Sequence, residues 1–209
     1  LAKLGERVNP ERDVVKVGQK RIQAKFIKPT IFMVNKPKGF TCSNDDPHAE
    51  RLIFELLETR HRNIRLFCAG RLDLESEGLV ILTNDGKLAH RLTHPSQKVR
   101  KKYKVEINQP LEQDAFQAML AGFEDDGDFL QLDEIRAKAG NPVGSTKLEI
   151  TMGHGKKREI RRCMGRYRYK VKKLRRTSIG GLRLGKLPLG TYRDLKDSEI
   201  DLLFPKQIS

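Results

Sequence analysis

The chain has 209 residues, enough for one sizeable domain or for one domain with a small appendage. Lysine and arginine number 42 against 27 acidic residues, and the net charge of +15 favours a polyanionic partner, either nucleic acid or an anionic membrane surface. No apolar run is long enough for a membrane-spanning helix. The three widely spaced cysteines lack the pattern of a disulfide framework or a zinc site, so we expect a cytoplasmic protein without a bound metal.

The first 28 residues read as the end of a small module. Residues 14–17 and 20–24 predict two short strands that are joined through Gly18 and Gln19. Because the sequence begins with Leu1 and not with methionine, we expect a fragment that lacks the first part of this module.

From residue 29 onward, apolar runs of strand length and of helix length follow one another. A strand at residues 31–34 ends in a turn at residues 35–39, where Pro37 and Gly39 force a reversal of the chain. The following pattern predicts helices at 49–58, 86–92, 111–120 and 198–204, the last capped by Asp197 or Ser198, and strands at 66–69, 79–83, 103–107, 129–135 and 147–151.

Charge is distributed unevenly in the second half of the chain. Residues 155–176 contain twelve lysines or arginines and a single acid, Glu159, whereas residues 112–134 contain eight acids and no base. A solvated helix face is the ordinary explanation of such a run. Here apolar residues interleave with the bases, so the segment can fold and still present a basic surface. We expect one face that attracts phosphates and another that repels them.

Asp73 is the leading candidate for chemistry. It follows Arg71 in a polar turn between the predicted strands at 66–69 and 79–83, and such a turn fixes a side chain on a rigid edge. An aspartate near an arginine is commonly a surface ion pair that contributes about 0–1 kcal/mol. On the residues alone, both readings stay open.

The stretch at residues 70–86 resembles the catalytic motif of pseudouridine synthases of the RsuA type, which modify ribosomal RNA. The matching residues are Gly70, Arg71, Leu72, Asp73, Ser76, Glu77, Gly78, Leu79, Thr83, Asn84 and Gly86. The resemblance covers about residues 30–204 and implies an α+β fold: a long twisted, mixed or antiparallel sheet with flanking helices and a central cleft. It further implies a remnant of an alpha-L RNA-binding module at 1–28, a catalytic domain at 29–209, and isomerisation of a uridine in a ribosomal RNA stem-loop without a cofactor. We expect a monomer.

Within this resemblance, three residues take catalytic positions. Asp73 matches the aspartate that attacks either C6 of uracil or C1′ of ribose. Tyr103, after Lys102, matches the tyrosine that stacks on uracil and takes part in proton removal from C5. Arg161, in the segment 156–164, matches the arginine that pairs with the aspartate and keeps it ionised in a partly dry cleft. Without the resemblance, Tyr103 reads as a core or edge residue and Arg161 as one more phosphate contact.

Other residues are expected to hold the RNA. Arg71 lies two residues before Asp73, on the same side of an extended segment, and is expected to hold the flipped-out nucleotide or its phosphate. Leu174 matches an apolar residue that packs on the target base, although a core leucine would look the same. The remaining expected contacts are Lys36, Lys38, Lys102, Arg158, Arg162 and Arg176, of which Lys36 and Lys38 are RNA or structural contacts.

Two rival classes of protein fit part of the sequence. A catalytically silent RNA-binding or ribosome-assembly protein on the same scaffold would not need the intact set of Asp73, Tyr103 and Arg161. A peripheral membrane protein would need an amphipathic helix with large apolar residues on one exposed face, and the sequence contains none. The sequence does not specify the target uridine or the ribosomal subunit that carries it.

Overall fold

The predicted N-terminal hairpin is present. The structure, a computed structural model, describes residues 8–9, 12–22, 29–44 and 46–204. Within them β1 (Val15–Val17) and β2 (Lys20–Ile22) pair antiparallel, and Gly18 supplies the positive φ of +60° in their connection. The predicted end of the second strand, at Ala24, lies outside the described residues.

A nine-stranded mixed sheet forms the frame of residues 31–194. In chain order the strands after the hairpin are β3 (Ile31–Lys36), β4 (Phe67–Ala69), β5 (Glu77–Thr83), β6 (Lys101–Ile107), β7 (Phe123–Asp125), β8 (Asp128–Leu130), β9 (Glu134–Ala137), β10 (Lys147–Met152), β11 (Val171–Ile179), β12 (Leu182–Arg183) and β13 (Tyr192–Asp194). The order in the sheet is β13-β3-β5-β11-β6-β10-β9, with β4 on β5 and β12 on β11, while β7 and β8 form a separate hairpin. Only β5 and β11 pair in parallel among the described strands. The predicted α+β class is therefore confirmed.

Short helices flank the sheet. They are α1 (Thr59–Arg62), α2 (Gly86–Thr93), α3 (Gln113–Ala121), α4 (Glu159–Arg166) and α5 (Asp197–Asp201), with single 3-10 turns at Ile53–Leu56 and Pro95–Gln97. The α2 helix begins after Asp85, whose carboxylate accepts the backbone N–H groups of Lys87 and Leu88 at 2.8 and 3.1 Å. None of the helices in the described part of the chain is long and apolar enough to cross a membrane.

The predicted helix at residues 49–58 is wrong. Thr41 bridges Leu52 in parallel, and Ile53 N–H donates to the carbonyl of Thr41 at 3.0 Å, which draws this backbone toward a neighbouring segment. Only the 3-10 turn Ile53–Leu56 remains. The apolar spacing instead places Ile53 and Leu57 in the core.

Two further boundaries differ from the prediction. The strand expected at 129–135 is divided between β8 and β9, because the chain turns away from its hairpin before it joins the sheet. The last helix has Lys196 as its N-cap residue, not Asp197 or Ser198, and the Glu199 carboxylate accepts the backbone N–H of Lys196 at 3.1 Å.

Strands β3 and β5 are buried on both faces. Alternate residues of β3 pack on opposite sides of the sheet, with Phe32 in one apolar cluster and Met33 in the other. In β5, Leu79 and Val80 divide in the same way, and both are fully buried. Packing from two sides fixes β5, and with it the turn from which β5 emerges.

Candidate active site

A cavity of about 880 Å³ opens between the turn before β5, the strands β6 and β11, and the loop before α4. Its wall brings together six of the residues that the sequence singled out: Arg71, Asp73, Tyr103, Arg158, Leu174 and Arg176. Within the described residues, the cavity wall does not include the other five: Lys36, Lys38, Lys102, Arg161 and Arg162. Residues from remote parts of the sequence, Asp73 among them, therefore line one cavity.

Arg176 anchors the chain just before Asp73. Its side chain comes from β11 and is only 1% exposed. The guanidinium donates to the carbonyls of Gly70 at 2.6 Å, Arg71 at 3.3 Å and Leu79 at 2.7 Å. The predicted RNA contact of Arg176 is not supported, because its guanidinium N–H groups donate to backbone carbonyls. A buried guanidinium needs such hydrogen-bond acceptors.

Lys36 anchors the chain just after Asp73. It is completely buried, and its ammonium group donates to the carbonyls of Pro37 at 2.9 Å and Ser76 at 2.8 Å. The backbone N–H of Gly39 adds a bond of 2.9 Å to the carbonyl of Leu74. Burial lowers the pKa of Lys36. Of the two roles expected for Lys36, these bonds support the structural one.

Arg161 provides a third anchor, from α4. Its guanidinium donates to the carbonyl of Glu75 at 3.0 Å, to the hydroxyl of Ser76 at 3.4 Å and to the carbonyl of Val171 at 3.4 Å. Burial lowers the pKa of Arg161, and the negative charge of Asp73 acts in the opposite direction. The expected direct ion pair between Arg161 and Asp73 is absent from the described residues, so the guanidinium holds the turn and acts on the carboxylate through space.

The carboxylate of Asp73 is half-buried, and no side chain or backbone group within the described ranges hydrogen-bonds to it. The charges of Lys36 and Arg161 nevertheless interact with it electrostatically. A carboxylate that is fixed by its backbone and accepts no hydrogen bond can act as a nucleophile or can stabilise a developing positive charge.

Tyr103 and Leu174 line the cavity wall from neighbouring strands. Tyr103 lies in β6 opposite Arg176 of β11, and Leu174 lies in β11 opposite Val105 of β6. Both side chains are at most 8% exposed, and both line the cavity. A phenol and an apolar group at this place can hold a planar ring against the carboxylate of Asp73.

Lys101 lines the cavity and was missed in the sequence. It lies two residues before Tyr103 and therefore on the same face of β6, whereas Lys102 is exposed on the opposite face. The Lys101 ammonium donates to the carbonyl of Val99 at 3.1 Å. Burial lowers the pKa of Lys101 to about 8, and the charge of Arg176 adds to this shift. The alternation of side chains along a strand was the sequence signal that could have identified Lys101, and not Lys102, as the lysine on the same face as Tyr103.

Arg162, which we predict to contact RNA, instead forms ion pairs within the protein. Its guanidinium bonds to the carboxylates of Asp125 at 2.6 Å and Asp128 at 2.7 Å, in the hairpin of β7 and β8. These hydrogen bonds, that of Asp128 first, raise the pKa of Arg162. Lys156 lies 3.7 Å from Asp128. The acidic segment thus neutralises part of the basic segment, and the two do not simply form separate attracting and repelling faces.

Four of the expected RNA contacts remain exposed: Lys102 on the face of β6 away from the cavity, and Arg71, Arg158 and Lys38. Arg71 and Arg158 lie on the cavity wall, and Arg158 precedes α4 with a positive φ of +54°. Lys38 follows β3, and its ammonium group donates to the carbonyl of Lys172 at 3.4 Å. The described residues include no group of three or more histidines, cysteines or acids that could hold a metal ion.

Comparison with known proteins assigns the family. The sequence model of the family described as RNA pseudouridylate synthase matches residues 30–165, an interval that contains Asp73, Tyr103 and Arg161. An RNA pseudouridine synthase of Aquifex aeolicus is 37% identical over 202 residues, which cover 96% of this chain and 79% of that protein.

Two further relatives support this assignment. A ribosomal large subunit pseudouridine synthase B of Vibrio vulnificus is 30% identical, covering 97% of this chain and 64% of that protein. A crystal structure of a pseudouridylate synthase is similar with a TM-score of 0.75 and 29% identity, covering 95% of this chain and 83% of the other. The chain therefore belongs to the RNA pseudouridylate synthase family, in its RsuA-type branch.

Proposed function

We propose that this protein isomerises a specific uridine in a ribosomal RNA stem-loop to pseudouridine, with Asp73 as the catalytic carboxylate and without a cofactor. The Vibrio vulnificus relative is a ribosomal large subunit pseudouridine synthase, which supports ribosomal RNA as the substrate. The observation that carries the catalytic assignment is the unpaired carboxylate of Asp73, which faces a cavity beside Tyr103 and Leu174. We also propose that the protein acts in the cytoplasm and that residues 1–28 belong to an accessory RNA-binding module.

The reaction exchanges one bond of the nucleotide for another. The bond between C1′ and N1 breaks, the uracil ring turns, C1′ bonds to C5, and the proton leaves C5 while N1 gains one. No electrons enter or leave, so no redox partner is needed. Asp73 serves either by attack on C6 or by attack on C1′, and the hydroxyl of Tyr103 takes part in the proton transfer.

The cavity also offers contacts that offset the cost of unstacking the target nucleotide. The target nucleotide must leave its stack, at a cost of a few kcal/mol. Stacking on Tyr103 and packing against Leu174 offset part of this cost, and the exposed cations Arg71, Arg158 and Lys38 offset more through contacts with phosphates.

A genetic comparison tests the proposal. Pseudouridines are mapped in ribosomal RNA from cells with and without this gene, and from deletion cells that carry the wild-type gene or its Asp73→Asn variant. We expect one position to lose its pseudouridine in the deletion strain and to regain it only with the wild-type gene. If every pseudouridine survives the deletion, the protein is an RNA-binding or assembly protein and the proposal fails.

Arg161 and Arg162 are neighbours on α4 with different expected effects. Replacing Arg161 by Met removes the bonds to Glu75 and Ser76 and the charge near Asp73, so we expect the single-turnover rate of pseudouridine formation to fall about 100-fold. Replacing Arg162 by Met is expected to lower thermal stability and to leave the rate of the folded enzyme near that of the wild type.

The measurement is the single-turnover rate with saturating enzyme, together with the melting temperature of each variant. Equal rate losses for Arg161→Met and Arg162→Met would contradict the role of Arg161. They would show that any disturbance of α4 is sufficient to slow the reaction.

Lys101 makes RNA binding depend on pH. Its pKa of about 8 means that the ammonium form prevails at pH 7 and is lost by pH 9. Bound phosphate favours the charged form, so affinity falls as the pH rises through about 8, by about three- to tenfold if RNA raises the pKa by up to one unit. Titration of RNA binding from pH 7 to pH 9 measures this. In the Lys101→Arg variant the charge persists, and the affinity should stay flat; an equally steep fall in that variant would assign the effect to another group.

A further inference from the structure

The loop between β10 and α4 forms one side of the cavity, and residues 153–158 all line it. The loop contains two glycines, Gly153 and Gly155, and then three exposed cations in a row. Glycine has little conformational preference of its own. Contacts with other parts of the protein must therefore set the conformation of the loop 153–158.

Two carboxylates fix this loop. Glu159, the first residue of α4, is 3% exposed, and its carboxylate accepts the backbone N–H of Lys156 at 2.8 Å. Asp133, directly before β9, accepts the backbone N–H of Gly153 at 2.6 Å. The imidazole of His154 lies between the two acids, with Nδ1 3.1 Å from Glu159 and Nε2 3.5 Å from Asp133. The acids therefore bind the loop at three of its six residues.

The three cations of the loop have different surroundings. The Lys156 ammonium donates to the carbonyl of Phe129 at 2.6 Å and lies 3.7 Å from Asp128, so it helps to fix the loop. Lys157 and Arg158 form no ion pair with the described residues. The φ of +54° at Arg158 is rare for a residue with a side chain and persists only where its surroundings hold it. Both cations are thus held through their backbone and are available to a ligand.

We propose that Glu159 and Asp133 are positioning residues, which fix the loop 153–158 so that Lys157 and Arg158 contact RNA phosphates at the cavity. The ligand in this inference rests on the proposed function. A loop that is fixed before binding loses less conformational freedom when it binds.

This role has the opposite sign to the effect of charge alone. An acid near a polyanion repels it, so removal of the acid should strengthen RNA binding. If the acid fixes the loop, its removal should instead weaken RNA binding. The direction of the change in affinity therefore separates the two effects.

The affinity for a ribosomal RNA transcript is measured for Glu159→Ala and Asp133→Ala at several salt concentrations, below the melting temperature of each variant. We expect the Kd to rise about tenfold in Glu159→Ala and about threefold in Asp133→Ala. The salt slope should become shallower by about one to two in Glu159→Ala, because each lost phosphate contact removes about 0.7 to 0.9. The single-turnover rate with saturating enzyme should stay near that of the wild type, because Asp73 is unchanged.

Asp46→Ala is the matched control for the loss of an acid. Asp46 also lines the cavity, and its carboxylate accepts the backbone N–H of His48 at 3.0 Å. This variant should bind RNA as tightly as the wild type or more tightly. Glu159→Gln keeps one oxygen that can accept the N–H of Lys156, so it should recover part of the affinity that Glu159→Ala loses.

Amide hydrogen exchange tests the loop without RNA. We expect the amide of Gly153 to exchange faster in Asp133→Ala, and that of Lys156 to exchange faster in Glu159→Ala. Unchanged exchange would overturn the inference, whatever the activity toward RNA. The inference also fails if Asp133→Ala binds RNA as tightly as Asp46→Ala, and this comparison decides even if Glu159→Ala does not fold. A wild-type protein that binds RNA without modifying it would contradict the proposed function and leave both tests of the loop intact.

Discussion

Replacing Asp73 by Asn should abolish pseudouridine formation while RNA binding persists. The amide has the size of the carboxylate but carries no charge and is a poor nucleophile, so we expect the single-turnover rate to fall about 10⁴-fold or more. The exposed cations that contact phosphate are unchanged, and the loss of one negative charge slightly favours RNA. The rate is measured with saturating enzyme, and the affinity by equilibrium binding to the same RNA. Asp73→Ala should give the same rate loss, which excludes slow deamidation of the Asn side chain as a source of activity.

Glu75 offers a matched control in the same turn. Its side chain is exposed, and Arg161 contacts its backbone carbonyl, which the Glu75→Gln variant retains. This variant also removes one negative charge near the cavity, so we expect a rate near that of the wild type. Comparable rate losses in the Glu75 and Asp73 variants would contradict the assignment of Asp73, since a general loss of charge would then explain both.

Replacing Gly78 by Ala should strongly destabilise the protein. Gly78 lies in β5 directly opposite Arg176 of β11, at a φ of +112°. An added Cβ would meet the backbone oxygen of Arg176 at 2.2 Å, and strands cannot separate locally without loss of their packing on both faces. We expect a loss of about 4 kcal/mol or more in the free energy of unfolding. For a chain of this size, the melting temperature should fall by roughly 10 °C or more.

Gly165 is the corresponding control. It lies in α4 with no heavy atom within 4 Å of an added Cβ, and its φ is not positive. Gly165→Ala should therefore leave stability unchanged or raise it by up to about 1 kcal/mol, through helix propensity. Thermal and urea unfolding measure both variants. A Gly78→Ala protein that melts with the wild type would show that β11 does not pass this close to β5.

The regular strands were predictable because burial leaves a direct pattern in the sequence. Residues 31–34 and 79–82 are apolar throughout, as expected for strands that are covered on both faces. The prediction of a helix at residues 49–58 was wrong because a contact between distant parts of the chain sets the backbone there. Spacing shows which residues are buried, but the bridge between Thr41 and Leu52, which decides the backbone, joins parts of the chain that local periodicity does not relate.

The resemblance to the family predicted a central cleft with two of the candidate residues, one within the motif at residues 70–86 and one outside it. Asp73 and Tyr103 lie on the cavity as the resemblance implied. The partners of the basic side chains could not be predicted, because basic residues in similar sequence surroundings bind different groups in the fold. Arg176 binds backbone carbonyls, and Arg162 binds an acidic hairpin that is distant in the sequence. Lys101 is an intermediate case, since strand parity relative to Tyr103 was available in the sequence.

The most direct test of catalysis by Asp73 is to incubate the purified protein with an unmodified ribosomal RNA transcript, without any added cofactor, and to map pseudouridines along the whole transcript. We expect pseudouridine at one defined uridine, formed by the wild-type protein and absent with Asp73→Asn. If the wild-type protein binds the RNAs of both subunits but every uridine stays unmodified, the catalytic role assigned to the cavity of Asp73 is contradicted.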